Sequence, residues 1–165
     1  MMIRVIEEND ANRFLEMLLT LDSQTKYMMF EVGERNTDVA SIVNMINSYN
    51  RTQSLLLVAK DNGEIVGFLS AQKGQVKRTK HNAYIVIGIL QSHHKKGIGS
   101  ELFAQLERWA KQQQIKRLEL TVMTHNQPAV HLYKKFGFEI EGTKKNAMIV
   151  DGVFVDEYYM AKLYQ

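Results

Sequence analysis

The sequence predicts an α/β fold (an α+β mixed sheet) in a single domain over residues 1–165. The first reason is that the spacing of apolar residues changes between strand and helix patterns along the chain, in the order β, α, α, β, β, β, α, β, α, β, β. The second reason is a pair of hairpin dipeptides, Asn62-Gly63 and Asp151-Gly152, each of which joins two apolar runs. Together these patterns predict seven strands and four helices.

The composition fits one compact domain and excludes several kinds of site. A chain of 165 residues with 45% hydrophobic residues is long enough for one substantial core and short for two. It has no cysteine, which excludes disulfides, thiolate zinc sites and a cysteine nucleophile. No apolar run approaches the roughly 18 residues of a membrane span, and the N-terminus lacks the pattern of a signal peptide. We therefore expect a cytoplasmic protein that does not bind membranes.

The N-terminal part of the chain is predicted to form one strand and two helices. Residues 2–6 are the strand, and Asp10 is predicted to cap the first helix. The apolar face of that helix carries Phe14, Leu15, Leu18 and Leu19. The second helix is predicted from about Asp38 to Tyr49, with an apolar face made of Val39, Ile42, Val43 and Ile46. Residues 28–37, between the two helices, are predicted to be a loop.

The middle of the chain is predicted to form three strands and a helix. Two antiparallel strands flank Asn62-Gly63, and a third strand covers Ala83 to Leu90. From Gly97 onward, apolar residues recur at helical spacing, at Ile98, Leu102, Phe103, Leu106 and Ala110. The stretch QSHHKKGIG, residues 91–99, therefore joins a strand to a helix.

The C-terminal part is predicted to form a strand, a short helix and a hairpin. Apolar and polar residues alternate from Leu118 to Met123, as in a half-buried strand. Asn126 and Pro128 are predicted to open a short helix that ends at Gly137. The last two strands are predicted to pair around the second hairpin dipeptide.

The turn at Gly97 and Gly99 has the features of an anion-binding site. A helix that is entered through Gly-x-Gly presents unpaired N–H groups and the positive end of its dipole, and the missing side chains let a phosphate come close. Lys95, Lys96 and His94 add cationic charge beside it. The alternative is that the glycines only shape a turn. The third glycine of a dinucleotide fingerprint and the P-loop pattern are both absent.

Two segments together resemble a known family. GILQSHHKKGIGSELFAQLERWA, followed about thirty residues later by THNQPAVHLYKKFGFEIEG, is similar to the GNAT family of N-acetyltransferases. The family's first motif has Gln or Arg, two residues, Gly, one residue, and Gly or Ala; here His94 stands at the Gln or Arg position. The resemblance covers about residues 83–142. It implies a mostly antiparallel sheet of about seven strands, with a central V-shaped splay and about four helices.

The resemblance also implies a cofactor, acetyl-CoA, and the residues that bind it. The N–H groups at the end of the third middle strand are implied to hold the pantetheine arm or the thioester carbonyl, namely those of Ile89, Leu90 and Gln91. The turn is implied to hold the pyrophosphate, through His94, Lys96, Gly97, Ile98, Gly99 and Ser100. In the second segment, Asn126 and Ala129 are implied to contact the cofactor arm, and Tyr133 to hydrogen-bond the departing sulfur.

An acceptor amine must lose a proton, and the sequence leaves the base open. An amine with a pKa of about 10.4 is almost fully charged at neutral pH, so a base or a water relay is needed. The strand before the glycine turn has no acid and offers only Tyr84. Besides Tyr84, we take Glu31, in the loop between the first helices, as the carboxylate candidate for the base. The remaining candidates are Glu34, Asp156 and Glu157. The histidines show no ligand spacing, so we expect no metal.

The sequence thus predicts an N-acetyltransferase that moves an acetyl group from acetyl-CoA to a primary amine by direct attack in a ternary complex. The partner is a small-molecule amine or a protein or peptide amine, and a homodimer is left open. The alternatives are a protein N-terminal acetyltransferase of the ribosomal-protein type, which residues 139–163 resemble, and a coenzyme A binding module without catalysis. We expect no nucleic acid, because the lysine and arginine pairs are scattered among elements instead of lying on one helix.

Overall fold

The computed structural model describes all 165 residues and confirms the predicted order of elements. The strands are β1 (Met2–Val5), β2 (Leu55–Asp61), β3 (Glu64–Lys73), β4 (Asn82–Ile89), β5 (Arg117–Met123), β6 (Glu139–Val150) and β7 (Val153–Leu163). The helices are α1 (Ala11–Gln24), α2 (Val39–Arg51), α3 (Ile98–Gln112) and α4 (Gln127–Lys135). Most ends lie within two residues of the prediction. None of the helices is both long and apolar enough to cross a membrane.

All seven strands form one sheet, in the order β1-β2-β3-β4-β5-β7-β6. Every pair is antiparallel except β4 and β5, which run parallel. Both predicted hairpins are present, and their turn residues Asn62, Gly63, Asp151 and Gly152 all have the positive φ that Asn, Asp and Gly adopt most readily. The sheet is therefore mixed and mostly antiparallel.

Helices cover the sheet on both faces, which explains the apolar runs of its central strands. On one face, α1 and α2 pack over β2 and β3 around Phe14, Ile46 and Phe68. On the other face, α3 and α4 pack around Leu102, Phe103 and other core residues. Because β2 and β3 lie under helices on both sides, nearly all of their side chains are buried, and their sequences do not alternate. The two faces thus hold two hydrophobic cores.

Two details of α1 differ from the prediction. Asp10 does not cap α1 with its side chain, because its own backbone is already helical (φ −82°) at the end of a short 3₁₀ turn, Glu8–Asp10. Its carboxylate instead accepts hydrogen bonds from the Glu7 N–H at 2.8 Å and from Arg4 at 2.7 and 2.9 Å, and the Arg4 pair lowers its pKa. Leu19, predicted on the apolar face, is exposed, and Met17 and Leu21 are buried in its place.

Candidate active site

The two parallel strands in the middle of the sheet separate soon after they meet. β4 and β5 pair only from Asn82 to Tyr84 and from Arg117 to Glu119, although both continue well beyond these residues. Past that point the facing edges of the two strands have no hydrogen-bonding partner in the sheet. The V-shaped splay implied by the resemblance is therefore present.

The edge of β4 that faces this gap carries free backbone groups. The N–H of Leu90 donates to the carbonyl of Val66 on β3 at 2.9 Å. Because hydrogen-bonding direction alternates along an antiparallel pair, the next residue back, Ile89, turns its N–H away from β3 and toward the gap. The same alternation turns Ile87 toward the gap. These two residues can therefore hydrogen-bond an extended polar chain laid along β4.

Two of the three N–H groups implied for the pantetheine arm are already paired. Leu90 donates to β3, and Gln91 donates its N–H to Oε1 of Gln24, at the end of α1, at 3.0 Å. The side chain of Gln91 returns a second bond, from Nε2 to the carbonyl oxygen of Gln24, at 2.9 Å. Leu90 and Gln91 therefore brace the end of β4, and of the three implied groups only the Ile89 N–H is free.

Histidine side chains brace the turn that follows β4. Nε2 of His94 lies 2.8 Å from the carbonyl oxygen of Ile89, and since a carbonyl only accepts, this nitrogen must carry a proton. The phosphate contact implied for His94 would therefore have to come from Nδ1. Nε2 of His93 lies 2.9 Å from the carboxylate of Asp61, which holds the pKa of Asp61 below its usual value. The turn is thus tied to β4 and to the β2–β3 hairpin.

The start of α3 presents a run of unpaired N–H groups. The first helical hydrogen bond is donated by Glu101 to the carbonyl of Gly97 at 3.1 Å, and no side chain caps the helix. The N–H groups of residues 95–100 have no acceptor in the chain. Lys95 (φ +61°) and Gly97 (φ +80°) both have left-handed backbone, which curves the run. Such a curved run at a helix N-terminus fits a pyrophosphate group.

The two glycines of the turn, Gly97 and Gly99, have different structural roles. A Cβ on Gly97 would meet no atom within 4 Å, so the turn needs glycine there for its positive φ and not for lack of room inside the protein. A Cβ on Gly99 would lie 3.6 Å from Leu132 and 3.8 Å from Ile89, which are ordinary contacts. A side chain at Gly99 would therefore extend into the space between the end of β4 and α4.

Helix α4 supplies the residues of the second motif. Asn126 accepts a hydrogen bond at Oδ1 from the N–H of Ala129, at 3.4 Å, so it caps the helix as its position beside Pro128 allows. Its amide nitrogen has no partner in the chain. Ala129 is half-buried, against the core under α3. Asn126 therefore has a structural role, which leaves only its amide nitrogen for a cofactor.

Tyr133 is the one buried phenol of this motif. Its ring packs against Phe103 and Phe138, with centroids 6.0 Å away in both cases, and the residue is only 8% exposed. Burial raises the pKa of Tyr133 above its usual range, and the nearby phenol of Tyr84 adds to the rise. The hydroxyl of Tyr133 makes no hydrogen bond in the chain. Because no fully buried side-chain nitrogen or oxygen of the protein lacks a hydrogen-bond partner, this hydroxyl must retain some solvent contact. Tyr133 therefore keeps its proton at neutral pH and has that proton free to donate.

On the other side of the splay, the face of β5 and β7 is not covered by a helix. The hydroxyl of Tyr84 lies 2.7 Å from Oγ1 of Thr121 and joins β4 to β5 just where they part. Glu157 stands opposite Met123 in the register of β5 and β7, two residues from the pair Thr121 and Tyr159. It is half-buried and takes part in no ion pair or hydrogen bond through its side chain. Thr121 and Glu157 thus join Tyr84 on one open face.

The predicted loop 28–37 is confirmed, and the longer segment between α1 and α2 borders this face. Arg35 is held by a bidentate pair with the buried carboxylate of Asp22, at 2.7 and 2.9 Å. Lys26 reaches Asp151 in the β6–β7 turn at 2.5 Å. Glu31 is exposed. Its N–H donates to the carboxylate of Glu34, its carbonyl accepts from the N–H of Glu34, and its own carboxylate has no hydrogen-bond or ion-pair partner. The segment is thus tied to α1 and to the β6–β7 turn, and the carboxylate of Glu31 makes no hydrogen bond or ion pair with the splay residues.

Some of the site residues were not visible in the sequence. Ile87 and Thr121 have no motif, and their place at the splay depends on strand register, which the sequence alone did not specify. Gln24 lies 67 residues before its partner Gln91. No group of three or more histidine, aspartate or glutamate side chains is placed to hold a metal ion.

The chain matches one protein family and several characterised members of it. The model of the acetyltransferase (GNAT) family matches residues 16–138. The L-amino acid N-acetyltransferase AaaT of Escherichia coli (strain K12) is 38% identical over 111 residues, 65% of this chain and 67% of that protein. The ribosomal protein uS5-alanine N-acetyltransferase of the same organism is 30% identical over 121 residues, 71% of this chain and 62% of that protein.

The fold agrees with a solved structure over the whole chain. The crystal structure of an acetyltransferase of the GNAT family from Streptococcus pneumoniae superimposes with a TM-score of 0.94 at 31% identity, covering 99% of both chains. The free N–H run and the splay described above have the donors that acetyl-CoA requires. The chain is therefore an acyltransferase with acetyl-CoA as its co-substrate, and it belongs to the acetyltransferase (GNAT) family.

Proposed function

We propose that this enzyme transfers the acetyl group of acetyl-CoA to a primary amine by direct attack within a ternary complex. The observation that carries the proposal is the run of unpaired N–H groups at residues 95–100, because it lies directly after a strand that turns further free N–H groups into the splay. When bound there, acetyl-CoA supplies a thioester carbonyl for the amine to attack. The absence of cysteine agrees with a route that has no acetyl-enzyme.

In this proposal two parts of the site bind different parts of the cofactor. The N–H groups from Lys96 to Ser100 hold the pyrophosphate, with help from the positive end of the α3 dipole. The N–H of Ile89 holds the arm along β4. Leu90, Gln91 and His94 act as braces for that strand end, and Asn126 and Ala129 shape the wall formed by α4. Tyr133 donates its proton as a hydrogen bond to the sulfur that leaves.

The proton of the amine is proposed to pass to Glu157 through water. Tyr84 and Thr121 occupy the neck of the splay, and Glu157 lies diagonally across from Thr121 on the same face, about 7 to 8 Å away between Cα atoms. Its carboxylate has no other partner, so it can accept a proton. Tyr84 then positions the amine or the water and is not itself the base. Glu31, exposed in the loop, becomes the matched control.

We expect Glu157→Gln to lower kcat/KM about hundredfold at neutral pH, because general-base help of this kind contributes roughly 10²–10⁴-fold. Glu31→Gln should stay within about twofold of the wild type. The measurement is kcat/KM against pH with a saturating cofactor. The loss should shrink as pH rises toward the amine's own pKa, since more of the amine is then neutral without help. Equal losses in the two variants would remove Glu157 from this role.

For His94 we expect a positioning effect and not a phosphate contact. His94→Ala removes the donor to the Ile89 carbonyl, so coenzyme A should bind several-fold more weakly, by roughly the 0.5–1.5 kcal/mol of one hydrogen bond. His94→Gln can still donate to that carbonyl and should recover most of the affinity. Calorimetry at several pH values provides the check. A wild-type affinity that falls as pH rises, together with a flat profile in His94→Gln, would instead assign the phosphate contact to His94.

The two relatives named above suggest two classes of acceptor amine. AaaT acts on L-amino acids, and the uS5 enzyme acts on the alanine of a ribosomal protein. The open face beside β5 and β7 suits either a free amino acid or the end of a peptide. A free-thiol assay with the set of L-amino acids and with short peptides that begin with alanine would test the proposal. Thiol release with none of these amines would reject it for this substrate class.

A further inference from the structure

A cavity lies at the opposite end of the sheet from the cofactor turn. Its volume is about 270 Å³, and it lies where the β3–β4 loop meets the C-terminal ends of α2 and α3. The lining consists only of polar residues, namely Gln53, Lys73, Lys80, His81, Gln112, Gln113 and Gln114. It contains no carboxylate. The amide and ammonium groups that surround it are hydrogen-bond donors with no acidic partner among them.

The cations of this cavity are not neutralised elsewhere in the protein. Lys73, Lys80 and His81 take part in none of the salt bridges of the chain. Residues 65–100 contain no aspartate or glutamate at all. The positive charge at the cavity is therefore free to act on a ligand.

The loop that carries Lys80 and His81 is closed by tight backbone contacts. A Cβ on Gly74 would lie 2.1 Å from the carbonyl oxygen of Thr79, so the loop closes tightly on itself. The N–H of Lys80 donates to the carbonyl of Val76 at 2.8 Å, and the side chain of Gln75 donates to the carbonyl of Thr52, just after α2, at 3.0 Å. The loop backbone therefore does not have to be ordered by the ligand, which reduces the entropic cost of binding.

The positive charge of the cavity's lysines exceeds the partial negative charge of the two helix ends. The C-terminal end of a helix carries about half a negative charge, so α2 and α3 together bring about one unit to the cavity. Lys73 and Lys80 alone bring two positive units. A net positive charge therefore remains inside a polar cavity.

We propose that this cavity binds a small anion that carries phosphate groups. Its volume fits one or two such groups, and its lysines and glutamine amides are the donors that phosphate oxygens accept. The site is separate from the acetyl-CoA turn, because α3 spans the distance between them: 15 residues at 1.5 Å each, or about 22 Å. Both sites can therefore be filled at once.

Inorganic pyrophosphate, titrated by calorimetry at low ionic strength, is the probe. The protein is first saturated with coenzyme A, so that the turn at α3 cannot bind the probe. We expect one pyrophosphate per chain, with an affinity that falls as salt is added. Lys73→Gln and Lys80→Gln should each weaken it about five- to tenfold, as expected for the loss of one charge-assisted contact in an open cavity.

Lys77→Gln is the matched control. It removes the same charge from the same loop, but Lys77 does not line the cavity, so the affinity should change less than about twofold. Equal losses in Lys77→Gln and Lys80→Gln would overturn the proposal in favour of a diffuse field. So would an unchanged affinity in Lys80→Gln with a lowered melting temperature, which would mean that the lysine only neutralises helix ends.

A short single-stranded RNA distinguishes a free phosphate compound from a nucleic-acid backbone. If the natural ligand is small, RNA should compete with pyrophosphate only weakly. RNA that binds more tightly than pyrophosphate and loses affinity equally in Lys77→Gln, Arg78→Gln and Lys80→Gln would overturn the small-ligand proposal, because it would reveal an extended polyanion surface.

Discussion

Gly99→Glu should weaken the binding of acetyl-CoA at least about hundredfold while leaving the fold intact. The new carboxylate would extend between the end of β4 and α4, beside the N–H groups of residues 95–100. A negative charge about 4 Å from a phosphate charge costs roughly 4 kcal/mol at the effective dielectric constant of a protein surface, more than the 2.7 kcal/mol of a hundredfold change. Calorimetry with acetyl-CoA measures the effect.

Gly99→Ala is the control for this variant. The added Cβ would make only ordinary contacts with Leu132 and Ile89, so the melting temperature should stay close to that of the wild type. Its affinity should fall only slightly, because the methyl group adds bulk but no charge. A folded Gly99→Glu protein that binds acetyl-CoA as the wild type does would show that the pyrophosphate lies elsewhere.

Tyr133→Phe should lower kcat about ten- to hundredfold and leave the dissociation constant of acetyl-CoA nearly unchanged. The ring packing against Phe103 and Phe138 is kept, and only the hydroxyl is lost. One hydrogen bond to a developing charge is worth roughly 1.5–3 kcal/mol, which gives that range of rates. Steady-state kinetics and calorimetry on the same preparation separate the two quantities.

The pH dependence offers a second check on Tyr133. Burial raises its pKa, so the phenol keeps its proton to higher pH than an exposed tyrosine and remains a donor. The ratio of wild-type to Tyr133→Phe kcat should therefore stay constant between about pH 7 and pH 9. A ratio that falls toward one across this range would mean that the wild-type phenol ionises there. If the variant instead loses cofactor binding with kcat preserved, Tyr133 positions the arm and does not assist the leaving sulfur.

Much of the fold could be predicted because it depends on local pattern. The Asn62-Gly63 and Asp151-Gly152 hairpins require positive φ at adjacent residues, and the dipeptides are the residues that adopt it. The change from strand spacing to helical spacing at Gly97 likewise marks the start of α3 within one residue. Such signals depend on a few neighbouring residues, and so a single sequence is sufficient to read them.

The parts of the site that could not be predicted depend on distant residues. The sequence offers the N–H of Gln91 to a ligand as readily as that of Ile89, but Gln24, from another helix, takes the first and leaves the second. Glu157 was one acid among several until the register of β5 and β7 brought it to the open face. Pairing and register, not composition, decide these roles.

The proposed mechanism depends most on direct attack of the amine on the thioester, and initial-velocity kinetics test this step. The amine found in the acceptor screen is varied at several fixed concentrations of acetyl-CoA, and the intact protein mass is recorded after incubation with acetyl-CoA alone. Direct attack should give reciprocal plots that intersect and a protein mass without an added acetyl group. Parallel plots together with an acetylated protein that passes its acetyl group to the amine would contradict it.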